Sequence, residues 1–406
     1  VGAGGGCAAA GGGWPLMLGS ILIAAIPFIV LLVVLVVIHE LGHFIAAKAF
    51  NIKVLEFGVG FPPRIKGLSW RKGETEYTIN WLPIGGFVRL LGEEDPSDPR
   101  SLAAAPAWKR LTVMFAGVFM NLVLAVLLMT AGFMVPRERA LSMAQVTQVA
   151  EGSPAAEARI IGEMRDGLPP RQGLQPGDII LEVEGREVRN TSELIYANRL
   201  NLGETQQWLI NRDGSLLRAE VYARWHPPAG QGPTGIRVGA PATCSDIDAD
   251  GNPINCQLLF PYTERVWYWP WEALPRGVQA LADTLVLTVN EIRVRVGGGG
   301  GAATENQPAF QGPVGIAAVT GDIIERAGWR SLIEFAALLS LNLAIFNALP
   351  LPMLDGGRML FVFIELIRGG RRISPEKEAL VHLMGFVLLM ATVVVVTYFD
   401  IVRLVA

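Results

Sequence analysis

Four long apolar stretches dominate the chain, at about residues 16–38, 111–135, 331–349 and 379–398. Each is close to the roughly 20 residues that a helix needs to cross a bilayer, so four membrane-spanning helices are predicted. The first helix is expected to run on to about Phe50, with any kink at Pro27 absorbed by its neighbours. Between the first two spans the period changes. Residues 55–61 and 76–81 read as short strands, and residues 82–90 as a third piece broken by Gly85 and Gly86. Taken alone, that pattern is a small surface hairpin. From residue 138 to about 225 the chain reads as a soluble α/β module, with Ile179, Leu181 and Val183 alternating as one face of a half-buried strand. Residues 226–270 form a Pro/Gly-rich linker that ends in a Trp/Tyr cluster of the kind found at membrane–water boundaries. Residues 271–296 carry Leu274, Val278, Leu281, Leu285, Val289, Ile292 and Val296 on one helical stripe. Arg276, Asp283, Glu291, Arg293 and Arg295 make this helix too charged to span. It is expected to lie in the membrane interface, with packing against the α/β module as the alternative. Residues 297–330 read as a Gly-rich linker and lead-in, and 331–406 as the second half of the membrane core. Residues 16–137 are its first half, and 1–15 are a Gly/Ala-rich tail with too few apolar side chains to build a core.

Composition agrees with that division. The 406 residues are 51% hydrophobic with a mean hydropathy of +0.38, too apolar for an ordinary soluble protein. A net charge of −3 argues against nucleic-acid binding, and three cysteines are too few for a disulfide framework. The loop from Lys48 to Arg110 carries ten Lys and Arg residues, and Arg368, Arg371, Arg372 and Lys377 follow the third span. The positive-inside rule puts both segments in the cytoplasm, so the α/β module and both termini lie outside.

The chemistry-bearing residues fall at the spans. His39-Glu40-Leu41-Gly42-His43 continues the first apolar run without a break. Residues four apart share a helix face, so His39 and His43 can both address one metal ion, with Glu40 one step round as a base. Zn²⁺ suits such nitrogens and keeps a position open for water when three protein ligands hold it. The competing reading is a chance match with both histidines satisfied by hydrogen bonds. Because this run carries the motif, it is expected to be retained and not cleaved as a signal peptide. Near the other end, Asp355 follows an apolar run broken by Pro350 and Pro352. Irregular backbone at membrane depth is tolerated where it is buried in protein or lines a wet cavity. Asp355 is therefore expected to face inward, toward a metal held by His39 and His43. A Pro/Asp/Gly turn at the membrane surface is the alternative. Asn121, polar within the second span, is read first as a helix-packing hydrogen bond and second as a group near the metal. His382 is read as a packing or interface residue and not as a ligand. In the linker, Asp246, Asp248, Asp250 and Gly251 match the first half of a calcium loop. Gln257 stands where that loop needs a bidentate Glu, so an Asx-rich turn competes. Cys244 and Cys256 are near enough in sequence to bridge in an oxidising compartment.

Taken together, His39–His43 and Asn347-Ala-Leu-Pro-Leu-Pro-Met-Leu-Asp355-Gly resemble the paired motifs of the site-2 protease family of intramembrane zinc metalloproteases. The likeness is to its bacterial, PDZ-containing, RseP-like branch and runs from about residue 21 to the C-terminus. It implies Zn²⁺ held by His39, His43 and Asp355, Glu40 as general base, and Asn347 positioning an unwound substrate. The Gly-Phe-Val segment Gly86-Phe87-Val88 is implied to belong to a membrane-reentrant β-hairpin whose free edge takes the substrate by strand addition. Residues 138–225 resemble a circularly permuted PDZ domain, with an insert at about 159–172 that departs from the family pattern. The expected fold is thus an α-helical membrane protein with four transmembrane helices, a reentrant β-hairpin and an inserted α/β PDZ domain.

The expected function is that of a zinc metalloendopeptidase in the bacterial cytoplasmic (inner) membrane, active site toward the cytoplasm and PDZ domain extracytoplasmic. It would cleave transmembrane segments of single-span proteins in the lipid bilayer, such as an anti-sigma factor or a remnant signal peptide. The rival is a non-proteolytic, zinc-bound PDZ scaffold, which has no need of Glu40.

Overall fold

The computed structural model describes residues 14–93, 95–165, 167, 169–247, 253–258, 262–296 and 312–405, and the chain divides into two compact units. The Gly/Ala-rich tail to residue 13 lies outside the described residues.

The first unit holds the apolar helices. α1 (Trp14–Ala49) continues without a break past Pro27. α2 is Ala107–Met134, α5 Pro313–Ala348, α6 Asp355–Ile367 and α7 Pro375–Val405. Four of the described helices are long and apolar enough to cross a membrane, over Ile26–Ala49, Ala107–Met134, Arg330–Ala348 and Glu376–Arg403. The chain is a multi-pass membrane protein. The lead-in expected as a linker before the third span is itself helical: α5 begins at Pro313, where proline suits a first helical turn because that turn leaves its N–H groups unpaired anyway. Its N-cap, Gly312, offers no side-chain acceptor. Asp400 of α7 supplies one, its Oδ2 accepting the Gly315 N–H at 2.8 Å.

The three strand pieces expected between the first two spans are two long strands. β1 (Val54–Lys72) and β2 (Thr75–Leu90) form their own two-stranded sheet. Both are bent by shifts in register, so that one stretch of β1 is paired twice. Phe57 pairs with Tyr77 and Val88, Gly58 with Thr78 and Phe87, and Val59 with Ile79 and Gly86. Residues 86–90 therefore pair along one edge only, and no further strand joins them among the described residues. Glu56 is buried at the centre of this sheet, where Arg64, Arg89 and the Thr78 hydroxyl satisfy its carboxylate.

The second unit contains β3 (Arg137–Ala140), β4 (Ala144–Val149), β5 (Arg159–Ile161), β6 (Ile179–Val183), β7 (Arg186–Glu187), α3 (Thr191–Leu200), β8 (Thr205–Arg212), β9 (Ser215–Tyr222), β10 (Ile236–Gly239), β11 (Ala242–Ile247), β12 (Pro253–Leu258) and β13 (Thr263–Val266). Seven strands make one sheet in the order β10-β4-β6-β8-β9-β5, with β7 beside β6. Alternate residues of β8 and β9 point inward, and Trp208, Ile180, Ile210, Leu217 and Leu194 fill the core. Under them, Arg212 makes a buried bidentate pair with Asp178 at 2.7 and 2.8 Å. The sheet takes in part of the stretch read as linker, because β10 pairs with β4. The insert at 159–172 begins as an edge strand, β5, on β9.

α4 (Pro270–Val296) follows. Asp283 on this helix accepts two hydrogen bonds from the Arg186 guanidinium, at 2.7 and 2.8 Å, and one from the Tyr196 hydroxyl. Asn290 donates to the last carbonyls of α3. The helix thus meets the sheet unit through polar residues. Leu274, Val278, Leu285, Val289 and Ile292 of the expected apolar stripe stay exposed, and Leu281 alone among these six is buried.

Candidate metal centre

Helical spacing places the imidazoles of His39 and His43 one turn apart on α1, and α6 brings its first residue, Asp355, to meet them. The His39 Nε2 lies 2.9 Å from Asp355 Oδ2, the His43 Nε2 3.2 Å from the same oxygen, and the two Nε2 atoms 3.1 Å from each other. All three side chains are largely shielded, with 7%, 11% and 17% of their surface exposed. Donor atoms on a tetrahedron with bonds of about 2.0 Å stand about 3.3 Å apart, so this triangle fits a single metal ion. Among the described residues it is the one cluster of three His, Cys, Asp or Glu side chains able to hold a metal.

Why Asp355 reaches the site is visible in the loop before it. α5 ends at Ala348 and α6 starts seven residues later, so the chain must turn tightly through both prolines. A side-chain carbon at Gly356 would stand 2.1 Å from the Leu349 carbonyl oxygen, and one at Gly357 2.2 Å from that of Leu351. Only glycine lets the first turn of α6 lie against its own lead-in. Met353 adopts a left-handed backbone (φ 81°), and its N–H donates to His382 Nδ1 of α7 at 2.8 Å. His382 thereby holds the loop that delivers the carboxylate. At the other end of α6, Glu365 pairs with the buried Arg110 of α2 and with Arg372.

α2 forms the back wall. A carbon added at Gly117 would meet His43 Nε2 at 2.4 Å and His39 Cε1 at 2.7 Å, and one at Gly42 of α1 would meet the Ala116 oxygen at 2.3 Å. The two helices cross where both lack side chains. One turn to either side of Gly117 lie the Val113 carbonyl, which accepts the His43 Nδ1–H at 2.7 Å, and Asn121, whose amide stands 3.2 Å from His39 Nδ1. Sequence reading missed Val113 and Gly117. The 113–117–121 spacing was the available signal, and Asn121 alone stood out from it by being polar.

Glu40 points to the hairpin side of α1, where its carboxylate feels the Val88 backbone N–H. A carbon at Gly86 would lie 3.8 Å from Glu40 Cγ and 3.0 Å from the Gly58 oxygen, so glycine lets the second stretch of β2 run beside the glutamate. Phe87 is occupied within the hairpin: its ring lies against Gly58 and stacks on Phe61. Asn347, in the last turn of α5, donates to the Leu343 carbonyl of its own helix at 3.0 Å. In the other unit, Cys244 on β11 is directly opposite Cys256 on β12, and Asp246 is opposite Ile254. Asp248 and Asp250 lie outside the described residues.

A paired-histidine helix, a carboxylate from a late helix and an adjoining glutamate, set among four apolar spans, define a membrane metallopeptidase. The chain belongs to peptidase family M50, whose family model matches residues 27–392, and the likeness to site-2-type zinc metalloproteases is borne out. Among its relatives are the zinc metalloprotease RasP of Oceanobacillus iheyensis, 28% identical over 93% of this chain and 99% of its own length, and the regulator of sigma-W protease RasP of Bacillus subtilis, 28% identical over 93% and 98%. A Clostridium perfringens protein named for zinc metalloprotease activity is 33% identical over 91% of this chain and 95% of its own length.

Proposed function

We propose that this protein hydrolyses peptide bonds within or beside the transmembrane segment of single-span membrane proteins, with Zn²⁺ held by His39, His43 and Asp355 and with Glu40 as the proton carrier. One observation carries the reading: the three donor side chains converge on a single point, with a glutamate from the same helix beside them. When bound, zinc supplies Lewis acidity to the scissile carbonyl and to the attacking water. Glu40 takes a proton from that water on its carboxylate and returns it to the leaving amine nitrogen.

A helical substrate hides its carbonyls in its own hydrogen bonds, so it must be unwound before attack. Residues 86–88 offer an edge for that purpose beside Glu40, and strand addition there would deliver an extended backbone to the metal. Asn347 would steady the opened chain near the loop that carries Asp355.

The basic loops support a site on the cytoplasmic side of the bacterial inner membrane, with the sheet unit outside. That unit is read as a PDZ-type filter over approaching substrates. An anti-sigma factor is one fitting substrate, a reading supported by the sigma-W name of the Bacillus subtilis relative, and a remnant signal peptide is another. The facing positions of Cys244 and Cys256 favour a disulfide in that compartment; free thiols after isolation without reductant would exclude it. Asp246 with Asp248 and Asp250 remains the candidate calcium loop, and calcium-dependent protection of β11–β12 from proteolysis would reveal binding.

The deciding experiment compares wild type with Glu40→Gln in liposomes. Bound zinc is measured by elemental analysis while cleavage of a tagged single-span substrate is followed. Zinc in both with cleavage only by wild type is expected. Equal cleavage by both would refute Glu40's role. Wild type that holds zinc but fails to cut a panel of single-span substrates would favour the PDZ scaffold.

A further inference from the structure

We infer that Asn121 is a positioning residue for the metal: its side-chain oxygen accepts the Nδ1–H of His39 and so keeps the His39 Nε2 lone pair turned toward the ion. This rests on the metal-centre reading above and deepens it.

A neutral imidazole carries one ring proton. To ligate through Nε2, each histidine must keep that proton on Nδ1, and Nδ1–H then needs an acceptor. For His43 the acceptor is explicit, because Nδ1 lies 2.7 Å from the Val113 carbonyl oxygen, which can only accept. For His39 the neighbour of Nδ1 is the Asn121 amide at 3.2 Å, in a position with no exposed surface.

In this structure the amide nitrogen faces Nδ1, while Oδ1 is a buried atom with no hydrogen-bond partner. That orientation makes Nδ1 an acceptor and moves the ring proton to Nε2, where it would point at Asp355 Oδ2, 2.9 Å away. A metal ion needs that same lone pair. The two ends of a carboxamide are nearly equal in size, so turning the amide by half a revolution costs no packing. It brings Oδ1, the unpartnered atom, onto the His39 Nδ1–H. Either orientation leaves one amide atom unpaired, so the choice is set by which nitrogen of His39 must be free.

The support continues outward. The backbone carbonyl of Asn121 accepts the Ser340 hydroxyl of α5 at 2.8 Å, and Ser340 is wholly buried. Position 121 is thereby tied to a second helix, which fixes where its side chain begins. Val113, Gly117 and Asn121 form one stripe on α2: an acceptor for His43, a gap for both rings and an acceptor for His39.

The test measures zinc affinity of the full chain in detergent by chelator competition, for wild type, Asn121→Ala, Asn121→Asp and His39→Ala. Thermal unfolding of each metal-free form reports on the fold. Removing the acceptor should weaken zinc binding about 10- to 100-fold. Asn121→Asp, which can accept but not donate, should restore affinity to near wild type. Wild-type affinity in Asn121→Ala would overturn the inference. So would an Asn121→Asp protein that is folded yet binds no better than Asn121→Ala. Failure of the underlying metal site looks different: His39→Ala would then bind zinc as wild type does, or wild type would bind none.

Discussion

At the scale of single residues, the metal centre depends as much on what is missing as on what ligates. Gly117 has no chemistry of its own, yet a methyl group there would stand 2.4 Å from the ring nitrogen of His43 and 2.7 Å from the His39 ring. Real carbon contacts do not come so close, and both neighbours are proposed ligands. Gly117→Ala is therefore expected to abolish stoichiometric zinc binding, read by elemental analysis, while the metal-free protein still unfolds cooperatively. Zinc at wild-type level would show that α2 can step back. None of this was legible locally. His39, Glu40 and His43 were identifiable because their relation is set by five residues of helix. Asp355 was identifiable because an acid after a proline-broken apolar run calls for a positive partner. Gly117 looks like any glycine in a span until α1 is laid across it.

At the scale of elements, the hairpin and α4 were each half read. The sequence indicated short strands and a Gly-Phe-Val edge, and β2 does run residues 86–90 along one side of β1. The double pairing of residues 56–59 could not be foreseen, since it arises from register shifts between strands that are each continuous. Val88 lies in the stretch of β2 that runs beside Glu40, which sharpens the consequence of changing it. Val88→Pro takes away the backbone N–H and one rung of the free edge. Cleavage is expected to fall at least tenfold, with zinc content unchanged and thermal stability near wild type. Undiminished cleavage would count against strand addition. For α4, the apolar stripe was correctly traced on the helix, but its polar side makes the contact with the sheet unit, through Asp283 and Asn290. Amphipathic period reveals two faces and does not say which one a protein neighbour takes.

At the scale of the molecule, the four spans and the long intervening α/β segment followed from hydropathy because bilayer thickness imposes one length on every span. α7 shows the result: Leu388, Val394 and Met384 are 65–70% exposed, surfaces that suit lipid and would aggregate in water. Both basic loops, before α2 and after α6, belong on one side of the membrane. A cysteine introduced at exposed Lys66 should resist a membrane-impermeant thiol reagent in intact cells and react after lysis. One introduced at exposed Glu204 should react in intact cells. The reverse pattern would invert the proposed topology and move the active site to the outer face.

The sequence by itself determined the span lengths, the α/β character of the segment between the second and third spans, and the residues proposed as metal ligands. Each of these is a local or compositional property. Only the tertiary structure decided how the centre is assembled. The contacts that complete it join residues 316 positions apart for His39 and Asp355, 82 for His39 and Asn121, and 70 for His43 and Val113. A carbonyl acceptor, a glycine gap and an amide oxygen acquire their roles from the helix crossing that brings them together, and a crossing is a property of two surfaces that no single stretch of chain contains.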